Sequence, residues 1–258
     1  MIPKKIHYCW FGRNPKPALA QKCIRSWKKY CPDYEIIEWN EDNYDLSAAP
    51  LYVRQAYEAK KWAFVTDYVR LQVVYEQGGI YLDTDVELRK PLDPLLVNRA
   101  YYGFEDGMYV NTGVGFGSER GHYILQEMME DYREIPFVRE DGSYDLLSCP
   151  QRNTGVFLRH GLQQDNSMQI LEEGTLILPC EYLNPKQWRT GEICITENTL
   201  SIHHFGASWY TPEMRRKLKL KHRREWLRHL PSTIGWRILG KERYEKIRRG
   251  LKGGRKEE

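Results

Sequence analysis

Short apolar runs and helical patterns alternate along the first part of the chain. Residues 6–10 form an apolar run that predicts a strand, the apolar positions of 19–30 recur on one helix face, and 34–39 predict a second strand. A strand, a helix and a strand at this spacing predict a parallel α/β unit of the kind that opens a nucleotide-binding domain.

A long helical pattern leads into a strand that carries two aspartates. The pattern covers residues 49–77 and stops at Gly78-Gly79, where the chain is predicted to turn into a strand over 80–88. Side chains alternate across a strand, so Asp83 and Asp85 are predicted to share one face.

The remaining pattern completes an α/β fold. Strands are predicted at 100–104, 114–116, 175–178 and 200–205, and helices at 121–133 and 152–160. Together these elements predict a mainly parallel central sheet flanked by helices in residues 1–210. Residues 211–258 are predicted to form a basic helical C-terminal appendage.

Charge divides the chain at the same boundary. Residues 211–258 hold 17 Lys and Arg against 6 Glu, whereas residues 1–210 hold 22 Lys and Arg against 29 Asp and Glu. Basic residues interleaved with Trp and Leu favour an amphipathic helix on an anionic membrane surface. The alternative is a solvated helix whose apolar side covers residues 1–210. The acidic body contains no nucleic-acid recognition motif, so we expect no nucleic-acid partner.

The composition also indicates a cellular compartment. The N-terminus has no apolar stretch of signal-peptide length, and no run of about 18 apolar residues occurs. The six cysteines include no C-x-x-C pair, which favours reduced thiols. We therefore expect a cytoplasmic protein, and the membrane interpretation of the basic tail would place it peripherally on the inner face of the plasma membrane.

Asp83 and Asp85 are the first candidates for chemistry. Carboxylates supply the hard oxygen ligands that a divalent cation prefers, and such a cation can neutralise a departing diphosphate. A D-x-D pair by itself is a weak signal, but the preceding helix, Gly-Gly turn and strand place it where an open α/β sheet binds its ligand. The alternative is an exposed acidic strand end.

Two further pairs have two interpretations each. Asp67 and Arg70 lie three apart on a helix, either as a surface ion pair or as contacts to sugar hydroxyls. His203 and His204 face opposite ways in a strand, so at most one of them is expected to reach a metal bound by the aspartates. Their spacing alone does not decide between a third metal ligand and ordinary packing.

These motifs occur in an order that resembles the D-x-D sugar transferases of glycosyltransferase family 32. That family includes bacterial capsular polysaccharide transferases and, more distantly, the catalytic domain of large clostridial glucosylating toxins. The matching pieces are Ile2-Pro3-Lys4-Lys5-Ile6-His7-Tyr8-Cys9-Trp10, Asp67-x-x-Arg70, Gly78-Gly79-x-Tyr81-x-Asp83-x-Asp85, Asn111-Thr112-Gly113 and His203-His204-x-x-x-Ser208-Trp209. The resemblance implies a GT-A-type fold that binds a nucleotide sugar, usually with Mn²⁺.

The resemblance also implies roles for individual residues. It makes Asp67, Arg70, Asp83 and Asp85 the catalytic residues, and it makes Asp85, with Asp83, a metal ligand. His203 is the favoured third ligand because Gly206 follows it three residues later, and His204 is the alternative. Nucleotide-sugar contacts are implied at Trp10, which would stack on the base, and at Asp67, Arg70, Tyr81, Asp83, Asn111, Ser208 and Trp209.

The implied reaction retains the anomeric configuration. An acceptor hydroxyl attacks the face from which the nucleoside diphosphate leaves, with Mn²⁺ or Mg²⁺ as cofactor and a UDP-sugar as the expected donor. A hexose or N-acetylhexosamine would pass to a saccharide or lipid-linked saccharide in capsule or cell-surface polysaccharide synthesis. The alternative is a non-catalytic sugar- or nucleic-acid-binding protein that uses the basic tail. A glycoside hydrolase is disfavoured, because its two carboxylates flank the bond from opposite sides.

Overall fold

The computed structural model describes residues 1–187, 190–206, 216, 220 and 243–246. The chain divides into one unit of Met1–Lys186 with Ile193–Trp209, and a second of Gln187–Glu192 with Tyr210–Glu258. Most of the predicted basic appendage lies outside the described residues, so its predicted helix and its boundary at residue 211 stay predictions. Within the described part of the chain, no helix is both long enough and apolar enough to cross a bilayer.

Strands and helices alternate along the larger unit. Its strands are β1 Lys5–Cys9, β2 Glu35–Trp39, β3 Gly79–Tyr81, β4 Val86–Leu88, β5 Ala100–Gly103, β6 Phe116–Ser118, β7 Gln169–Leu171, β8 Thr175–Leu178 and β9 Ser201–His203. Its α-helices are α1 Ala18–Tyr30, α2 Leu51–Glu58, α3 Trp62–Gln77, α4 Tyr123–Glu130, α5 Cys149–Arg159 and α6 Cys180–Leu183.

Seven of these strands form one twisted sheet in the order β2-β1-β3-β6-β5-β8-β7. Strand β1 is parallel to both β2 and β3, and β5 is parallel to β8, whereas β6 and β7 run antiparallel to their neighbours. Strands β4 and β9 form a separate antiparallel ribbon. The predicted α/β fold, with a central sheet flanked by helices, is confirmed, and its parallel pairs lie on either side of β6. This is the architecture expected for a GT-A-type domain.

Helices cover both faces of the sheet. Successive strand residues enter different cores: Ile80 and Tyr101 pack with α1, whereas Tyr81 and Tyr102 pack with α2, α3, α4 and α5. This alternation follows from the pleat of a strand, which sends neighbouring side chains to opposite faces. All six cysteines are free thiols.

The predicted helix over 49–77 is wrong in its middle, because the chain breaks into α2 and α3 there. Lys60 adopts a left-handed φ of 55°, and the amide of Lys61 donates to the carbonyl of Ala56. No Gly or Pro marks this break, so the apolar pattern reads as continuous. Strand β6 lies two residues later than predicted, and β7 and α6 are too short for periodicity to indicate them.

The predicted strand over 80–88 is also wrong in its middle. Strand β3 ends at Tyr81, where the amide of Leu82 still donates to the carbonyl of His7, and β4 begins only at Val86. Between them the chain turns, with the amide of Val86 donating to the carbonyl of Asp83 at 2.9 Å. The two aspartates therefore lie in a turn that leads from the large sheet to the β4–β9 ribbon, rather than on one face of a strand.

The Gly-Gly pair fixes the entry into β3. Gly78 and Gly79 have φ of 66° and 115°, and a Cβ on Gly79 would lie 2.9 Å from His7 Nε2.

His7 is fully buried, and its ring joins the Gly78 carbonyl at 2.9 Å to the indole N–H of Trp39 at 3.1 Å. Because the indole can only donate, Nδ1 accepts and Nε2 carries the proton. Burial lowers the pKa of His7 to about 4, so the ring stays neutral at physiological pH.

Candidate active site

The aspartate turn meets the end of the chain's last described strand. In the β4–β9 ribbon Val86 lies opposite His203, so the residue before Val86 comes beside the imidazole. His203 Nε2 lies 3.2 Å from Asp85 Oδ1. One ligand atom each from Asp83, Asp85 and His203 lies within 4.8 Å of the others.

Asp85 is held on three sides by the segment that follows β9. The amide of Gly206 donates to Asp85 Oδ2 at 2.6 Å, and the amide of His204 donates to the main-chain carbonyl of Asp85 at 3.0 Å. Burial opposes ionisation of Asp85, but His203 and the Gly206 amide outweigh it and lower the pKa of Asp85 to about 2. Burial by itself would lower the pKa of His203. The negative charge of Asp85 outweighs burial, so the pKa of His203 is raised. A carboxylate is thus fixed at this position.

Asp83 is held by residues of α3 and β3. The hydroxyl of Tyr81 donates to Asp83 Oδ1 at 3.0 Å, and Arg70 Nη2 lies 3.5 Å from the same oxygen. The Arg70 guanidinium also lies over the Tyr81 ring, 5.1 Å from its centroid. Burial raises the pKa of Asp83, and the charge of Arg70 opposes that rise. Tyr81 and Arg70 therefore act together to orient this carboxylate.

The Asp67–Arg70 pair is buried rather than a surface ion pair. Arg70 is 3% exposed and Asp67 is 7% exposed, and Arg70 Nη2 lies 3.0 Å from Asp67 Oδ1. Arg70 Nε additionally donates to the carbonyl of Thr66 at 3.0 Å, which fixes the orientation of the guanidinium group. Burial raises the pKa of Asp67 to about 6 although Arg70 lowers it. One guanidinium consequently serves two carboxylates, Asp67 and Asp83.

The loop after β5 closes against these carboxylates. Asn111 Nδ2 donates to Glu105 Oε2 at 2.7 Å, and Asn111 Oδ1 accepts from the Gly113 amide at 2.5 Å. A Cβ on Gly113 would lie 2.5 Å from Asp83 Oδ2 and 3.0 Å from Arg70 Nη1, so only glycine fits there. Glu105 was not among the sequence-based candidates; it belongs to an acidic pair, Glu105-Asp106, that follows β5 and carries no motif.

The remaining predicted residues lie in three places. Trp10 follows β1, which is parallel to β3, so Trp10 and Asp83 lie at the same edge of the sheet. Trp10 lines a cleft of about 260 Å³ with Lys16 and Glu38 among its walls. His204 lies away from the aspartates, with Nε2 2.8 Å from Glu87 Oε2. Ser208 and Trp209 fall outside the described residues, and their roles stay predictions.

The chemistry of the donor set fits a divalent cation. Two carboxylates and one imidazole converge, and hard oxygen ligands with a nitrogen suit Mn²⁺ or Mg²⁺. His203 Nε2 is the nitrogen beside Asp85, and His203 Nδ1 is buried without a hydrogen-bond partner among the described residues. Asp83, Asp85 and His203 would hold the cation, and His204 would not.

Gly113→Ala tests how this site is packed. The added methyl group is expected to displace the Asp83 carboxylate and to lower the affinity for Mn²⁺ about 10-fold or more, measured by calorimetric titration. Gly155→Ala is the matched control, because Gly155 lies inside α5 with no atom within 4 Å of an added Cβ. Its Mn²⁺ affinity should equal that of the wild type. Unchanged affinity in Gly113→Ala would contradict the assignment of Asp83 to the metal group.

Comparison with known proteins gives matches around this site. The family described as "Glycosyltransferase sugar-binding region containing DXD motif" matches residues 17–102. Inositol phosphoceramide mannosyltransferase 3 of Schizosaccharomyces pombe is 29% identical over 140 residues, which are 53% of this chain and 38% of that protein. Inositol phosphoceramide mannosyltransferase 1 of the same organism is 29% identical over 106 residues, 37% of this chain and 31% of that protein. The chain thus matches less than two fifths of the length of these relatives.

A solved structure titled "PaToxG Glycosyltransferase" aligns with a TM-score of 0.48 at 16% identity, covering 97% of this chain and 87% of that chain. The family match includes α3, β3 and the aspartate turn, and therefore Asp67, Arg70, Tyr81, Asp83 and Asp85. Residues 17–102 accordingly match the DXD-containing sugar-binding region of glycosyltransferases, a resemblance that the order of the motifs predicted.

Proposed function

We propose that this chain is a retaining, metal-dependent glycosyltransferase that moves a hexose or N-acetylhexosamine from a nucleotide sugar to a saccharide or lipid-linked acceptor. The convergence of Asp83, Asp85 and His203 within 4.8 Å, with both aspartates in the matched glycosyltransferase sugar-binding region, is the observation that carries the proposal. A nucleotide sugar needs such a site because its diphosphate gains negative charge as the glycosidic bond breaks.

The described side chains suggest how the donor is held. A cation bound by Asp85 and His203 would supply Lewis-acid neutralisation of the diphosphate. Asp83 keeps a fixed orientation through Tyr81 and Arg70, which suits a carboxylate that contacts the ribose or the cation. Trp10 lies at the same edge of the sheet, and we propose that its ring stacks on the base of the donor.

Retention by front-face attack is the proposed stereochemistry. The acceptor hydroxyl would approach on the face from which the nucleoside diphosphate departs, and the departing phosphate would take the hydroxyl proton. Two other carboxylates near the metal group already have protein partners: the buried Asp67 pairs with Arg70, and the half-buried Glu105 accepts from Asn111. This supports direct displacement over a covalent glycosyl-enzyme intermediate.

The matched relatives narrow the choice of donor and acceptor to be tested. Both matched yeast proteins are named inositol phosphoceramide mannosyltransferases, which supports a hexose donor and a lipid-linked acceptor. We propose a UDP-sugar as donor, with GDP-mannose as the competing candidate that these names suggest. Capsule or cell-surface polysaccharide synthesis on the cytoplasmic side of a membrane is the proposed setting.

A donor panel tests the activity. The purified chain with Mn²⁺ is expected to turn over at least one of UDP-glucose, UDP-galactose, UDP-N-acetylglucosamine and GDP-mannose, read by release of nucleoside diphosphate. EDTA should abolish that release, and Asp85→Asn should lower kcat/KM about 100-fold or more while the protein stays folded. Asp141→Asn is the control, since Asp141 is an exposed loop residue that accepts only from Ser143. Turnover that survives EDTA would remove the metal from the mechanism.

We also propose that residues 211–258 dock on an anionic membrane, because basic residues there alternate with Trp and Leu. Changing Arg215, Arg216, Lys217 and Lys219 to Gln should weaken binding to phosphatidylserine-containing vesicles about 1,000-fold, since each basic residue near such a surface contributes about 1 kcal/mol. Vesicles of phosphatidylcholine alone are the control. Equal flotation of the wild type and the variant with anionic vesicles would argue against docking by this segment.

A further inference from the structure

Lys186 contacts the turn beside the metal group, from a segment that no sequence motif marks. It follows α6, forms a bridge with Ile193, and has a half-buried side chain. Its ammonium donates to the carbonyl oxygen of His204 at 2.6 Å. The amide of His204 in turn donates to the Asp85 carbonyl, so the ammonium lies on the turn that wraps Asp85.

The charge environment of Lys186 differs from that of other lysines in the chain. Lys16 and Lys22 each pair with a glutamate at 2.7 Å, whereas no carboxylate in the described part of the chain lies within 4.0 Å of the Lys186 ammonium. Burial lowers the pKa of Lys186, and the negative charge of Asp85 opposes that lowering. A half-buried ammonium without a carboxylate partner pays a solvation cost that a bound anion would offset.

The donor capacity of the ammonium is only partly used. An ammonium has three N–H donors, and the His204 carbonyl takes one of them. Two donors therefore remain for the oxygens of a bound anion. A lysine with unused N–H donors is suited to binding phosphate, because its ammonium is a compact positive charge.

We propose that Lys186 binds the diphosphate of the nucleotide donor beside the cation held by Asp85 and His203. A departing nucleoside diphosphate carries about three negative charges, of which a divalent cation neutralises two, so a second positive group is needed at the same place. This inference rests on the proposed function, and it gives Lys186 a direct role in binding the leaving group.

Calorimetric titration with UDP and with GDP, each in the presence of Mn²⁺, tests the proposal. Lys186→Met is expected to weaken binding of the preferred nucleoside diphosphate about 10- to 100-fold, as loss of a charge-assisted hydrogen bond does. Lys186→Arg, which keeps a positive charge, should recover most of that affinity. Mn²⁺ titrated alone should bind Lys186→Met as tightly as it binds the wild type.

Lys90→Met is the matched control. Lys90 also donates from its ammonium to a backbone carbonyl, that of Glu197, but it lies beyond the opposite end of the β4–β9 ribbon. Its affinity for the nucleoside diphosphate should equal that of the wild type.

Each other outcome has a distinct meaning. Wild-type affinity in Lys186→Met would overturn the role of Lys186 and leave the proposed function standing. Loss of Mn²⁺ binding in Lys186→Met would overturn it too, because Lys186 would then act only by supporting the turn at His204. A wild-type chain that binds neither UDP nor GDP would overturn the proposed function and this inference together.

Discussion

The antiparallel pairing of β4 with β9 is the interaction on which the candidate site depends. It brings His203 beside Asp85 although 118 positions separate them in the chain, and it places the following turn so that the Gly206 amide reaches the same carboxylate. Without this ribbon the aspartate turn would be an exposed acidic loop at the end of β3.

The second support of the site is Arg70, whose buried guanidinium pairs with both Asp67 and Asp83. Removing it would leave the buried Asp67 and the half-buried Asp83 without their positive partner, a costly state.

Space is constrained as tightly as charge around these groups. Gly113 lies against Asp83 and Arg70 with no room for a methyl group, and Gly206 would place a Cβ 3.2 Å from Asp85 Oδ2. The loops that contain Gly113 and Gly206 therefore contact the carboxylates with backbone atoms, because neither residue has a side chain. This close approach keeps the carboxylates in fixed orientations, and a preorganised group needs no rearrangement when a charged ligand arrives.

The α/β architecture was predictable from the sequence because it follows from the spacing of apolar residues. The observed α1, β1 and β2 follow their apolar patterns closely. Local breaks were not predictable, since Lys60 ends α2 in a left-handed conformation with no Gly or Pro to announce it. Asp83 and Asp85 were expected to meet through strand alternation, yet a turn brings them together. The spacing of Gly206 after His203 has a physical basis in the Gly206 bond to Asp85. Glu105 and Lys186 carried no local signal, because their positions depend on tertiary contacts with Asn111 and His204.

The central claim is that Asp83, Asp85 and His203 form a divalent cation site. Titration of Mn²⁺ into the wild type, His203→Asn and His204→Asn tests it most directly, because the imidazoles of these adjacent histidines contact different carboxylates, those of Asp85 and Glu87. The structure predicts that His203→Asn weakens Mn²⁺ binding at least about 10-fold and that His204→Asn binds as the wild type does. Equal affinity of all three proteins, or loss confined to His204→Asn, would contradict the account.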